Sequence, residues 1–79
     1  MKSKILAVVS NNIKRYRNKK GISGMELSER AGISYEYLRR IEAPNMKCGM
    51  SINTLIKLAY ALELPVVALV KSEGGDDND

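Results

Sequence analysis

The chain has 79 residues, no histidine, one cysteine and a formal net charge of +4. That length allows a single domain, and the cysteine and histidine counts exclude an intramolecular disulfide and a Cys/His zinc set. The charge is uneven: residues 1–71 hold all 13 Lys and Arg against five acids, a balance of +8, while residues 72–79 carry −4, so the body favours polyanions.

In chain order, MKSKILAVVS passes from two lysines into an apolar run too short for a leader peptide. It flows directly into NNIKRYRNKK, so it reads as the opening of a helix. That first helix is predicted from about Lys4 to Lys19, with Ile5, Val9, Ile13 and Tyr16 at helical spacing. Gly21 ends it, behind a last turn rich in Lys and Arg. Ser23-Gly-Met-Glu26 fits a capping box and starts a second helix that buries Leu27 and Ala31. Gly32 stops it, Ile33 plugs the corner, and Ser34 caps a third helix ending near Ile41 or Glu42.

APNMKCGM, residues 43–50, reads as a loop by its Pro, Asn and Gly. Ser51 caps a fourth helix whose inner face is expected to be Ile52, Leu55, Leu58, Ala59 and Leu62. Pro65 is placed at the first helical position of a short fifth helix, Val66 to about Lys71. The end, GGDDND, is expected to be a flexible acidic tail. The fold expected is therefore all-α, a compact five-helix domain over residues 1–71 with a tail at 72–79.

Two helices joined by a three- or four-residue turn containing Gly make a helix-turn-helix, whose second helix can lie in the DNA major groove. The turn must be tight because the helices brace each other at a fixed angle. Leu27, Ala31, Ile33, Leu38 and Ile41 meet the apolar positions, Ser28 is small where the helices come closest, and Gly32 takes the turn. With Leu38 and Ile41 inward, Ser34, Tyr35, Glu36, Tyr37 and Arg40 are the candidates to face outward. Tyr37 has a second use open to it, packing over the fourth helix. Arg40 can donate a bidentate pair to guanine and Glu36 can accept from the cytosine amino group. Tyr35 can touch a thymine methyl or donate to phosphate, and Arg39 meets the DNA backbone or solvent. Free amides near Ser23 and Gly24 face phosphate at a helix start. Lys14, Arg15, Lys19, Lys20 and Lys47 are supplementary phosphate partners.

The stretches IKRYRNKKGIS (13–23), ELSERAGISYEYLRRIE (26–42) and SINTLIKLAYALEL (51–64) resemble the DNA-binding domain of phage-repressor-type regulators, the xenobiotic-response-element family. The resemblance covers residues 9 to 70 and implies a five-helix domain that binds operator DNA, generally as a dimer, to regulate transcription. It implies that Ser34, Tyr35, Glu36 and Arg40 contact bases or phosphates, and that Arg17 and Glu42 form an internal ion pair. Two departures stand out. Gly24 falls where the family often has a glutamine bridging phosphate and the third helix. The loop from Glu42 to Ser51 is about two residues longer than usual, with Met46, Cys48 and Met50 where Arg, Asn and Pro are frequent. Cys48 reads as an inert loop thiol.

A homodimer through the fifth helix is expected from the apolar surplus of Val66, Val67, Leu69 and Val70. Enzyme chemistry is not expected: there is no His, no acid pair at a shared site, no Gly-rich phosphate loop and no metal set. No cofactor or small-molecule substrate is evident. The lone cysteine suits a reducing cytoplasm, and no apolar run reaches the roughly 20 residues of a membrane span. The alternative function is a protein-interaction module, an antitoxin or adaptor, that keeps the fold without operator binding.

Overall fold

The structure, a computed structural model, describes residues 4–43 and 49–72. Its elements are five helices: α1 (Lys4–Lys20), α2 (Gly24–Ala31), α3 (Tyr35–Glu42), α4 (Ile52–Ala61) and α5 (Val66–Val70). No strand occurs among the described residues. Helix α1 packs on α3 and α5, α2 on α3 and α4, and α4 on α5. Val9, Ile13, Leu27, Leu38, Ile41, Leu58, Leu62 and Leu69 meet in one buried core drawn from all five helices. None of the helices is long and apolar enough to cross a membrane.

Local chemistry sets the helix ends. Ser23, Ser34 and Ser51 each sit in extended backbone and accept, through the hydroxyl, from the amides of Glu26, Tyr37 and Thr54. The return arm expected from Glu26 goes elsewhere, because its carboxylate reaches forward to Arg30 at 2.7 Å. At the other end of α2, Gly32 takes φ 72° and donates to the Glu29 carbonyl, and Ile33 donates to that of Ser28. This paired arrangement closes the orphan carbonyls of the last turn. A Cβ at Gly32 would meet nothing within 4 Å, so the requirement for glycine is one of backbone conformation alone. Gly21 ends α1 in the same way. Helix α4 uses the same motif with Glu63, at φ 61°, in the left-handed place.

Several expectations shift. Ile5 is exposed rather than part of the inner face of α1. Ile52 is 66% exposed, while Thr54, Leu58, Ala59, Ala61 and Leu62 are buried. At 3.6 residues per turn Ile52 falls in a row with Ile56 and Tyr60. Those three make an exposed apolar strip, Tyr60 at 83%. Pro65 is one place earlier than expected: it precedes α5 in extended backbone and gives its carbonyl to the Ala68 amide. Of the four apolar residues assigned to a dimer surface, Leu69 is wholly buried in its own core, and Val66 and Val70 pack against that core. Only Val67 is exposed. A five-residue helix needs most of its apolar side chains to close so small a core.

One polar residue joins distant parts of the chain. Asn12 is buried, and its Nδ2 donates to the carbonyls of Leu69 and Lys71, both at 2.9 Å. Its Oδ1 accepts from Arg15 at 3.3 Å. Helix α1 thereby caps the C-terminal carbonyls of α5.

Candidate nucleic-acid interface

The α2–Gly32–α3 unit carries the candidate site. Leu27 and Ala31 of α2 and Leu38 and Ile41 of α3 are buried. Ser28 is also buried, and its hydroxyl donates to the Met25 carbonyl at 2.8 Å. Its polarity is thus satisfied within its own helix.

Locked on its inner side, α3 turns Tyr35, Glu36, Arg39 and Arg40 to solvent. Ser34 is exposed at its cap. Tyr37 is half-buried and packs against the core. Helical spacing divides the outward residues into two rows, Tyr35 with Arg39 and Glu36 with Arg40. The first row borders an open cleft of about 330 Å³ where α1, α2 and α3 converge. Lys14, Arg17 and Gly24 line its other walls, whereas Glu36 and Arg40 lie outside it. Lys14, named from sequence only as a supplementary phosphate partner, is thus drawn beside α3.

Arg17 and Glu42 form the ion pair the resemblance implied. Nε donates to Oε2 at 2.8 Å and Nη2 to Oε1 at 3.0 Å, while Nη1 donates to the Ile22 carbonyl at 3.0 Å. Their side chains are only 15% and 11% exposed. The hydrogen bonds it donates to Glu42 hold the guanidinium above its ordinary range, against the opposing effect of burial. With its three donor nitrogens so engaged, Arg17 ties α1 to the end of α3.

Ser23 caps α2, and Gly24 opens its first turn, half-buried beneath the Tyr35 ring. Sequence spacing could not disclose that contact, since it joins residues eleven positions apart on different helices. Lys47, Met46, Cys48 and the acidic tail beyond Ser72 lie outside the described residues. No group of three or more His, Cys, Asp or Glu placed to hold a metal occurs among the described residues.

Residues 12–67 match the profile of the Cro/C1-type HTH DNA-binding domain. The HTH-type transcriptional regulator SinR of Bacillus subtilis (strain 168) is 35% identical over 72 residues, covering 91% of this chain and 64% of SinR. The chain thus spans less than two thirds of that relative. A crystal structure of SinR in complex with DNA superposes with a TM-score of 0.73 at 38% identity, covering 80% of this chain and 98% of that one. The restriction-modification controller protein C.AhdI from Aeromonas hydrophila superposes with a TM-score of 0.74 at 25% identity, covering 81% and 94% respectively.

Proposed function

The chain belongs to the Cro/C1-type helix-turn-helix DNA-binding family, and from that premise we propose that it is a sequence-specific, double-stranded DNA-binding transcriptional regulator with α3 in the major groove. The observation that supports this reading most directly is the two-sidedness of α3. Leu38 and Ile41 are buried, while Tyr35, Glu36, Arg39 and Arg40 are exposed to solvent. The major groove is wide enough for such a helix and presents each base pair distinctly.

Within this reading Arg40 donates to guanine and Glu36 accepts from cytosine. Ser34 and the α2 amides at Ser23 and Gly24 meet phosphate. Lys14 and Arg39 add cationic contacts, each of which steepens the salt dependence of binding. Lys47 is assigned a phosphate contact on sequence grounds. Residues 1–71 are taken as the binding unit, set off by charge from the acidic sequence 72–79. The role is binding without catalysis, exercised on DNA in the cytoplasm. SinR has been solved with DNA bound, which favours the same partner class here.

We infer further that the chain acts as a homodimer, spacing two α3 helices about 34 Å apart on successive major-groove faces. Val67 is the outward member of the α5 set, and the Ile52, Ile56, Tyr60 strip of α4 is the larger exposed apolar surface. Lys57 is the only charged residue of α4, so two cationic bodies meeting there bring few like charges together.

A gel shift with random-sequence duplex at low and high salt tests the function. Weak, salt-sensitive retention is the expected result, and selection of bound DNA in vitro then yields the operator and its half-site spacing together. Absence of any retention at low salt overturns the reading in favour of the adaptor or antitoxin alternative.

A further inference from the structure

The Gly24–Tyr35 contact suggests how this chain manages without the glutamine that the family often carries at the start of α2. A Cβ built on Gly24 would lie 3.0 Å from Tyr35 Cε1 and 3.8 Å from Cδ1. The Cε1–Cδ1 edge of the ring therefore rests on the bare glycine. Arg17 itself is spent on Glu42 and Ile22. The donors left at the rim are the Tyr35 hydroxyl from α3, the Lys14 ammonium from α1 and the Arg39 guanidinium one turn beyond Tyr35.

We propose that Gly24 is a seat for Tyr35, and that seating turns this tyrosine from a base reader into a DNA-backbone contact whose hydroxyl donates to the phosphate also held by Lys14 and Arg39. The inference rests on the DNA-binding reading above and deepens it, by dividing labour along α3. The Tyr35–Arg39 row grips phosphate, and the Glu36–Arg40 row is left to the bases. Phosphate contacts fix register without carrying sequence information, and base-edge contacts carry it. The missing glutamine is thus replaced from the opposite side: the donor comes from α3 and reaches across glycine, instead of coming from α2.

A double-substitution cycle tests this, with affinity measured on a mixed-sequence duplex and on the duplex recovered by selection. Tyr35→Phe keeps the ring on its seat and deletes only the hydroxyl. It should weaken binding roughly tenfold on both duplexes, while the slope of affinity against salt stays unchanged, because a neutral donor displaces no counterion. Lys14→Ala should instead reduce that slope by about one phosphate contact. Gly24→Ala should push the ring outward and weaken binding to a similar degree, with urea denaturation showing an intact fold. Gly24→Ala combined with Tyr35→Phe should be little worse than either alone.

Wild-type binding with an unchanged Tyr35→Phe affinity overturns the proposal and leaves the regulator reading standing. So does a Tyr35→Phe loss confined to the selected duplex, or losses that simply add. A wild-type chain that retains no duplex at low salt removes both. Because Tyr35→Phe preserves the packing, its result tests the phosphate contact whatever Gly24→Ala does to folding.

Discussion

Arg17 grips Glu42 with two of its nitrogens and the Ile22 carbonyl with the third, so one side chain joins α1, the entry to α2 and the end of α3. Both partners are largely buried, and removing one leaves a charge without compensation. Glu42→Ala should therefore lower stability by about 3 kcal/mol in urea denaturation. Arg17→Lys should recover little of the loss from Arg17→Ala, since an ammonium cannot reproduce the planar fork.

Asn12 makes a sharper chemical prediction. Asn12→Asp is almost the same shape, but a carboxylate has nothing to donate to the Leu69 and Lys71 carbonyls. Asn12→Ala should cost about 2 kcal/mol, and Asn12→Asp more, at neutral pH in thermal denaturation. An aspartate variant as stable as wild type would show that these two bonds hold α5 only weakly.

Glu63 occupies a left-handed position that Gly21 and Gly32 fill at the ends of α1 and α2. A side chain there costs on the order of 1 kcal/mol, and the pair with Lys20 at 3.5 Å is exposed and offsets little of it. Glu63→Gly should raise the melting temperature by about 4–8 °C. Gly32→Ala should lower it, although a methyl group there would touch nothing.

Arg40→Ala should flatten sequence preference, costing about 1–3 kcal/mol on the selected site and much less on random duplex. Equal losses on both would make Arg40 a phosphate contact.

Ile56→Glu places a charge in the middle of the exposed α4 strip. Sedimentation should show a monomer at concentrations where the parent chain is a dimer, with affinity for a single half-site retained. A parent chain that sediments as a monomer at every concentration would remove the dimer.

The order and ends of the helices were legible because each is written in local chemistry. Ser23, Ser34 and Ser51 begin helices, and Gly21 and Gly32 end them. The outward face of α3 followed from the inward fate of Leu38 and Ile41. What stayed hidden depends on partners far along the chain. Asn12 sits beside Ile13 in an ordinary helical stretch, and nothing near it announces carbonyls at Leu69 and Lys71. Apolar spacing put Ile5 and Ile52 inside because it records which residues are greasy, not where neighbouring helices stop. The same blindness counted Leu69 as surface, though the core claims it entirely. Gly24 was visible as a missing side chain, but the ring occupying its space was not.

The freedom of Glu36 and Arg40 from any role in the core has an evolutionary consequence. Surface exchanges of this kind usually alter stability by only about half a kcal/mol, so these two positions can be rewritten while the scaffold beneath them stays put. A lineage built on this chassis can drift to new genomic addresses one codon at a time, without passing through an unfolded ancestor.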